Sequence, residues 1–216
     1  MADIFQEVDE DVRRDKQTEL WAKYGKYVIA AAIVIIGATA ATVGWREYSA
    51  NQKLEAGGKF ASAKALVVAN QDAEAAKAFA SLAAEAGGGY AWIARLEEAA
   101  ALARNKEMDA AIKIYDAMAA DSSADEKFRQ LASLHAASHL LDLGDTAGAR
   151  TRLSTLTTAN SPWRHSAREL VGLADLAEGN REEAIKTFKA LSDDATAPRG
   201  ARARAAEILA ALGGAE

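Results

Sequence analysis

Residues 99–115, AAALARNKEMDAAIKIY, contain the pattern that decides the fold. A small residue, Ala99, precedes the pair Asn105 and Lys106, which is followed by Ala111 and then by the bulky Tyr115. Alanine favours helix, whereas asparagine tolerates the left-handed backbone in which many helices end. The stretch therefore predicts two helices joined by a tight turn, with Ala99 small enough to let them pack closely.

The same pattern occurs four times along the chain, and each bulky residue follows an alanine by four positions. These pairs are Ala75/Phe79, Ala111/Tyr115, Ala149/Leu153 and Ala184/Phe188. The small residues that precede them are Ala63, Ala99, Ala137 and Gly172, and the turn residues are Asn70, Lys106, Gly144 and Gly179. Four matches in one register are typical of tetratricopeptide repeats, whose period is about 34 residues.

We therefore predict an all-α fold in which degenerate helix pairs form a tetratricopeptide-like α-solenoid. Each pair has an apolar face that it cannot bury alone, so stacking the pairs buries this face and leaves a concave surface. Half of the residues are hydrophobic, and the chain contains only two prolines. The predicted helices are 52–69, 72–86, 90–104, 107–120, 125–143, 146–158, 163–178, 181–192 and 198–212, and the last of them caps the array.

A second informative stretch is residues 27–45, YVIAAAIVIIGATAATVGW, which carries no charge. These 19 residues would span roughly 28 Å as a helix, close to the hydrocarbon thickness of a bilayer. Aromatic residues flank the stretch on both sides, as in the interfacial belts of membrane proteins. We predict a single N-terminal transmembrane helix in contact with the lipid bilayer. The alternative interpretation is a buried core helix.

The order of these segments predicts three parts: a cytoplasmic amphipathic tail (1–26), the transmembrane helix (27–45) and a periplasmic repeat domain (46–216). More basic residues precede the span than follow it, which favours a cytoplasmic N-terminus in a bacterial inner membrane. Cleavage after a signal peptide remains an alternative because of the small residues at 38–40, although the apolar region is longer than in most signal peptides.

The tail itself has an apolar residue at every fourth position, namely Ile4, Val8 and Val12. This spacing predicts a short amphipathic helix. Its function is either to dock on a cytosolic partner or to lie loosely at the membrane surface. Its acidic residues argue against strong binding to anionic lipid.

The tail and the start of the span, residues 3–27, DIFQEVDEDVRRDKQTELWAKYGKY, resemble the ancillary Sec translocon subunit family of proteobacteria, in its alphaproteobacterial branch. The resemblance extends over the span and the degenerate repeats that follow. It implies an inner-membrane protein whose periplasmic domain associates with Sec translocon subunits. It also implies partners among membrane-anchored periplasmic chaperones, such as a peptidyl-prolyl isomerase, and unfolded client proteins. A tetratricopeptide scaffold for another envelope machine, in cell division or outer-membrane assembly, is the alternative.

In tetratricopeptide repeats the first helix of each pair lines the binding groove. The residues predicted to line a protein-binding groove here are Phe60, Lys64, Leu96, Arg104, Leu134, Ser138 and Asp142. They mix apolar and charged side chains, which suits loose recognition of unfolded segments.

Composition and motifs argue against other classes of function. The net charge of −5 argues against binding to nucleic acid, and the absence of cysteine excludes a thiolate metal site or a cysteine nucleophile. His135 and His139 share a helix face, but the glutamate of a zinc-protease motif is missing. We therefore predict a protein that is not an enzyme, with no catalytic residues, no metal site and no cofactor.

Overall fold

A computed structural model describes the backbone of residues 3–213 and the side chains of residue 14 and residues 16–213. The regular secondary structure within these residues is entirely α-helical, which confirms the predicted fold class. The helices are α1 (Asp3–Val68), α2 (Asp72–Glu85), α3 (Gly88–Arg104), α4 (Met108–Ala120), α5 (Glu126–Asp142), α6 (Thr146–Leu153), α7 (Arg164–Ala177), α8 (Arg181–Asp193) and α9 (Arg199–Ala211). The chain divides into two compact units, Met1–Glu55 and Ala56–Glu216.

The first unit contains a candidate membrane span. All side chains of residues 27–45 are exposed, and this part of α1 is long and apolar enough to cross a membrane. Ammonium groups lie over aromatic rings just before the span, with Lys23 Nζ 5.5 Å from the Tyr24 ring and Lys26 Nζ 5.2 Å from the Tyr27 ring. The side chains of Ile4, Val8 and Val12, on which the amphipathic tail was predicted, lie outside the described residues.

The four predicted turn residues all have a positive backbone φ, which confirms the repeat register. The φ values are 57° for Asn70, 67° for Lys106, 81° for Gly144 and 80° for Gly179. At each turn two backbone N–H groups bond to carbonyls of the preceding helix. At the first turn, for example, Asn70 donates to Val67 over 3.0 Å and Gln71 donates to Leu66 over 2.9 Å. These two bonds define the Schellman motif, which ends the first helix of every repeat.

The bulky and small residues of the pattern form the core of the second unit. Phe79, Leu153 and Phe188 are fully buried, and Tyr115 is almost so. At Gly172 an added Cβ would lie only 2.8 Å from Cζ of Phe188. The small residue of a repeat therefore lies directly beneath the bulky residue of the same repeat, and glycine gives the closest approach of the two helices.

Two helix boundaries differ from the prediction by more than two residues. No break separates the span from the first repeat helix, because residues 46–51 contain neither proline nor glycine and the helix continues through them. Helix α6 ends at Leu153 instead of residue 158. The hydroxyls of Ser154, Thr157 and Thr158 bond to nearby backbone carbonyls, and such bonds compete with helix formation.

The early end of α6 leaves a polar cavity of about 770 Å³ beside the first turns of α5. The connector that follows α6 also contains Ser161. Ser161 is buried, and its hydroxyl donates to Gln130 Oε1 over 3.0 Å and accepts from the Trp163 N–H. Since α7 begins only at Arg164, Ser161 joins the connector to α5 rather than capping α7.

Candidate protein-binding groove

The first helices of successive repeats lie side by side and form one face of the second unit. They are the last part of α1, then α3, α5 and α7. Contacts between residues of successive repeats connect these helices. Lys64 Nζ lies 3.1 Å from both carboxylate oxygens of Glu97, and the rings of Trp92 and Phe128 are 5.2 Å apart. The predicted groove residues all lie on these helices, so the register places them on elements that meet one another.

Three of the predicted groove residues, Phe60, Leu96 and Leu134, occupy the same register position in successive repeats. All three are half-buried and pack partly against the core of their own repeat. The Phe60 ring, for example, lies 5.5 Å from the ring of Phe79. These residues therefore offer a ligand only part of their apolar surface.

The two predicted cations, Lys64 and Arg104, are both paired within the array. Lys64 binds Glu97 of the next repeat, and Arg104 Nε donates to Asp72 Oδ1 over 2.7 Å. Glu169, at the register position of Leu134, likewise accepts two bonds from the Arg204 guanidinium at 2.6 and 2.7 Å. These internal pairs neutralise four of the charges that lie on the first helices, those of Lys64, Glu97, Arg104 and Glu169.

Ser138 is half-buried, and Asp142 is 59% exposed at the end of α5. The Asp142 carboxylate lies 3.5 Å from Nδ1 of His139. No charge on another helix pairs with it among the described residues, so Asp142 is the predicted groove charge that a ligand could engage most directly.

Sequence reasoning missed further apolar residues at groove positions. Ile93 is 45% exposed and Leu173 is 38% exposed, and the half-buried Leu131 is the counterpart of Ile93 in the next repeat. Leu173 takes the register position of Lys64 and Ser138. Extending the register to all four repeats would have identified it, whereas the predicted set left out the fourth repeat. These residues add apolar surface to the face of the first helices.

The two histidines on α5 serve packing. His135 and His139 stack on the Tyr115 ring, with centroids 5.2 and 5.7 Å away. Burial raises the pKa of Tyr115 to about 12 and lowers the pKa of His135. The lowered pKa keeps the His135 side chain neutral near pH 7. Within the described residues no cluster of three metal-ligating side chains occurs.

Comparison with known proteins agrees with this geometry. Residues 18–208 match the tetratricopeptide repeat-like domain family. The chain belongs to this family. No curated protein has a significantly similar sequence.

Solved structures show the same tetratricopeptide-like fold. Two crystal structures of a putative kinesin light chain from Podosopora anserina with nearly identical TPR-like repeats, one of them a single-residue variant, match with TM-scores of 0.58 and 0.57. The matches cover 73% of this chain and 84% and 85% of the two chains, at 15% and 16% sequence identity. At this identity the likeness shows the fold alone.

Tetratricopeptide repeat-like domains act as scaffolds for protein–protein interaction and are typically not catalytic. The coarse function of this chain is therefore protein binding through a helical scaffold. Its solenoid leaves apolar side chains on the first helices only partly covered.

Proposed function

We propose that the chain is a membrane-anchored protein-interaction module that associates with the Sec translocon. In this role it links the translocon to membrane-anchored periplasmic chaperones and to secretory or membrane proteins that emerge from the translocon. The observation that carries the proposal is the exposed, uncharged helical stretch at residues 27–45, which precedes a protein-binding repeat array in the same chain. A bilayer would cover that stretch and hold the array at a membrane surface.

The assignment to the Sec translocon rests on the resemblance of residues 3–27 to the ancillary Sec translocon subunit family. Orientation with the N-terminus in the cytoplasm rests on the larger number of basic residues before the span. These two arguments support an inner-membrane protein whose repeat domain, residues 46–216, lies in the periplasm.

The side chains at the groove positions favour unfolded protein segments as ligands. The partly exposed side chains of Ile93, Leu96 and Leu173 offer apolar contacts, while internal ion pairs neutralise Lys64 and Arg104. Such a surface binds through apolar area without demanding a particular charge pattern, because apolar burial is non-directional. Emerging segments that have not yet folded expose this kind of surface.

Affinity purification from gently solubilised inner membrane, with a tag after residue 216, tests the assigned partners. We expect translocon subunits to be recovered together with a membrane-anchored periplasmic chaperone. The control is the same tag on a chain whose residues 3–27 are replaced by an unrelated cytoplasmic tail. Recovery of cell-division or outer-membrane-assembly factors in place of the translocon would reject the proposal in favour of an envelope scaffold.

Site-specific crosslinking tests the groove. We expect a photoreactive amino acid at Ser138 or Asp142 to crosslink to a stalled, partly translocated client. The same amino acid at Lys113, which is exposed on the second helix α4, should give little product. The reason is that only the first two positions lie on the face formed by the first helices. Equal labelling from all three positions would show that clients do not use this groove.

A further inference from the structure

An ion pair joins the first helix to the end of the second helix in three of the four repeats. The cation lies four positions before the small residue, and the acid lies six positions after the bulky residue. Each pair therefore holds the two helices together at the end that leads into the next repeat. The three pairs are Lys59 with Glu85 at 2.6 Å, Arg95 with Asp121 at 3.8 Å, and Arg168 with Asp194 at 3.5 Å.

The third repeat has neither member of this pair. Ser133 takes the position of the cation, and Ala159 takes the position of the acid. The polar cavity of about 770 Å³ lies here, since Ser133 lines it together with Thr158 and Asn160, the two neighbours of Ala159. The third repeat therefore has a cavity at the place where the other three repeats have an ion pair.

Arg129 supplies the cavity with a positive charge that has no partner. The side chain is half-buried, and its Nε is buried without a hydrogen-bond partner among the described residues. Asp121, the acid at the end of the preceding second helix, pairs with Arg95 instead. A buried donor without an acceptor costs free energy, and a charged donor costs more than a neutral one. An anion bound in the cavity would remove this cost.

The two carboxylates that also line the cavity are placed differently. Asp125 and Glu126 are exposed, and each accepts a hydrogen bond from a group of α5. Asp125 Oδ1 accepts from the Lys127 N–H and Glu126 Oε1 accepts from Gln130 Nε2, both over 2.9 Å. Salt screens exposed charges more strongly than partly buried ones. The charge that the cavity offers to a ligand is therefore the positive charge of Arg129.

Neutral polar groups of the lining are free as well. The hydroxyls of Ser133 and Thr155 and the amide of Asn160 have no hydrogen-bond partner among the described residues. These groups can both donate and accept hydrogen bonds. The cavity volume also lies within the range of small-molecule sites, roughly 300–1,000 Å³. The lining therefore suits a ligand that has hydroxyl groups beside its anionic group.

We propose that this cavity binds a small polar molecule that carries hydroxyl groups and a carboxylate or phosphate group. The anionic group pairs with the Arg129 guanidinium, and the hydroxyls bond to Ser133, Thr155 and Asn160. The ligand joins α5 to the connector that follows α6, as the ion pairs join the two helices of the other repeats. This inference does not depend on the identity of the translocon.

Calorimetric titration of the full-length chain in lipid nanodiscs tests the proposal with three probes. Citrate carries carboxylates and a hydroxyl, glycerol 3-phosphate carries a phosphate and two hydroxyls, and glycerol carries hydroxyls alone. We expect saturable binding of citrate or glycerol 3-phosphate, with one molecule per chain, and no binding of glycerol. The tighter of the two anionic probes identifies the preferred anionic group.

Removal of the charge tests the role of Arg129. We expect Arg129→Gln to weaken binding of the anionic probe at least about tenfold, because a hydrogen bond to a charged group is lost. Arg202→Gln is the matched control and should bind as the unchanged chain does. Arg202 is likewise half-buried with a buried, unpartnered Nε among the described residues, but it does not line the cavity.

A second variant fills the cavity without touching Arg129. Ser133→Arg combined with Ala159→Asp introduces the arginine–aspartate pair of the second and fourth repeats. We expect this chain to keep the helical circular dichroism of the unchanged chain and to lose probe binding. Binding of an anionic probe that Arg129→Gln weakens and Arg202→Gln preserves supports the proposal. Absence of binding by both anionic probes, equal binding of glycerol, or binding that survives Arg129→Gln or the filled cavity overturns it.

Discussion

Replacement of Arg150 by alanine is expected to lower the free energy of unfolding by about 2–3 kcal/mol. Its guanidinium lies 2.6 Å from Asp175 Oδ1 and 2.8 Å from Glu178 Oε2. Asp175 is buried, so the truncation would leave an uncompensated carboxylate between α6 and α7. The expected loss lies at or below the lower end for a broken buried pair, because about a third of the Arg150 side chain is exposed.

The repeat register shows which apolar residues correspond to Arg150 and Asp175 in the other repeats. Asp175 takes the position that leucine holds in the other three repeats, at Leu66, Leu102 and Leu140. Arg150 takes the position of Ile112 one repeat earlier, where Ile112 and Leu140 belong to one apolar cluster. The double change Arg150→Ile with Asp175→Leu is therefore expected to leave stability unchanged or raised, because a well-packed apolar pair can replace a buried ion pair.

Urea unfolding followed by circular dichroism at 222 nm measures both changes. Lys189→Ala, at an exposed position of α8, is the control and should stay within about 0.5 kcal/mol of the unchanged chain. If the single and the double variant lost equal stability, the ion pair would not be the source of the effect. The same result would show that an apolar pair like Ile112 and Leu140 cannot replace the ion pair between α6 and α7.

Replacement of Phe188 by alanine should cost about 3–5 kcal/mol. The ring is fully buried and lies against the backbone of Gly172, where even a Cβ would be only 2.8 Å away. Glycine cannot fill the cavity that the truncation leaves, because it has no side chain to move into it. The same unfolding measurement should show a lower midpoint with little change in the slope against urea.

Phe128→Ala is the matched control for this prediction. The Phe128 ring is 52% exposed and packs mainly on Trp92, so its loss should cost less than about 1.5 kcal/mol. The combination Gly172→Ala with Phe188→Leu reproduces the Ala137 and Leu153 pair of the third repeat. It should therefore be more stable than Phe188→Ala alone. Equal losses for Phe188→Ala and Phe128→Ala would contradict the close helix contact at Gly172.

The repeat register could be predicted because its signals are local. A helix can end at a residue that tolerates the left-handed backbone. Asparagine and glycine tolerate it, and they occupy three of the four turns, at Asn70, Gly144 and Gly179. Lys106 has no such preference and still has a φ of 67°. At Lys106 the repeat period predicted the turn, because the adjacent helices had to reverse direction at that point.

The contacts of the groove residues were harder to predict from the sequence than the repeat register was. Phe60 and Lys64 lie on the predicted helix, but the sequence did not indicate that Phe60 would pack against Phe79 or that Glu97 would bind Lys64. Such contacts join residues of different helices, and their distances depend on how those helices pack. The binding role of these positions stays a prediction until the crosslinking is done.

The sequence by itself determined the helical class, the positions of the turns and the uncharged stretch at 27–45, because propensity, backbone freedom and hydropathy act over a few neighbouring residues. Only the tertiary structure decided which charges are neutralised within the array and which faces stay open. The Lys64–Glu97 and Arg150–Asp175 pairs show this, since each pair joins residues of two different helices. Packing decides such features because burial and charge pairing depend on all the neighbours of a side chain, wherever they lie in the chain.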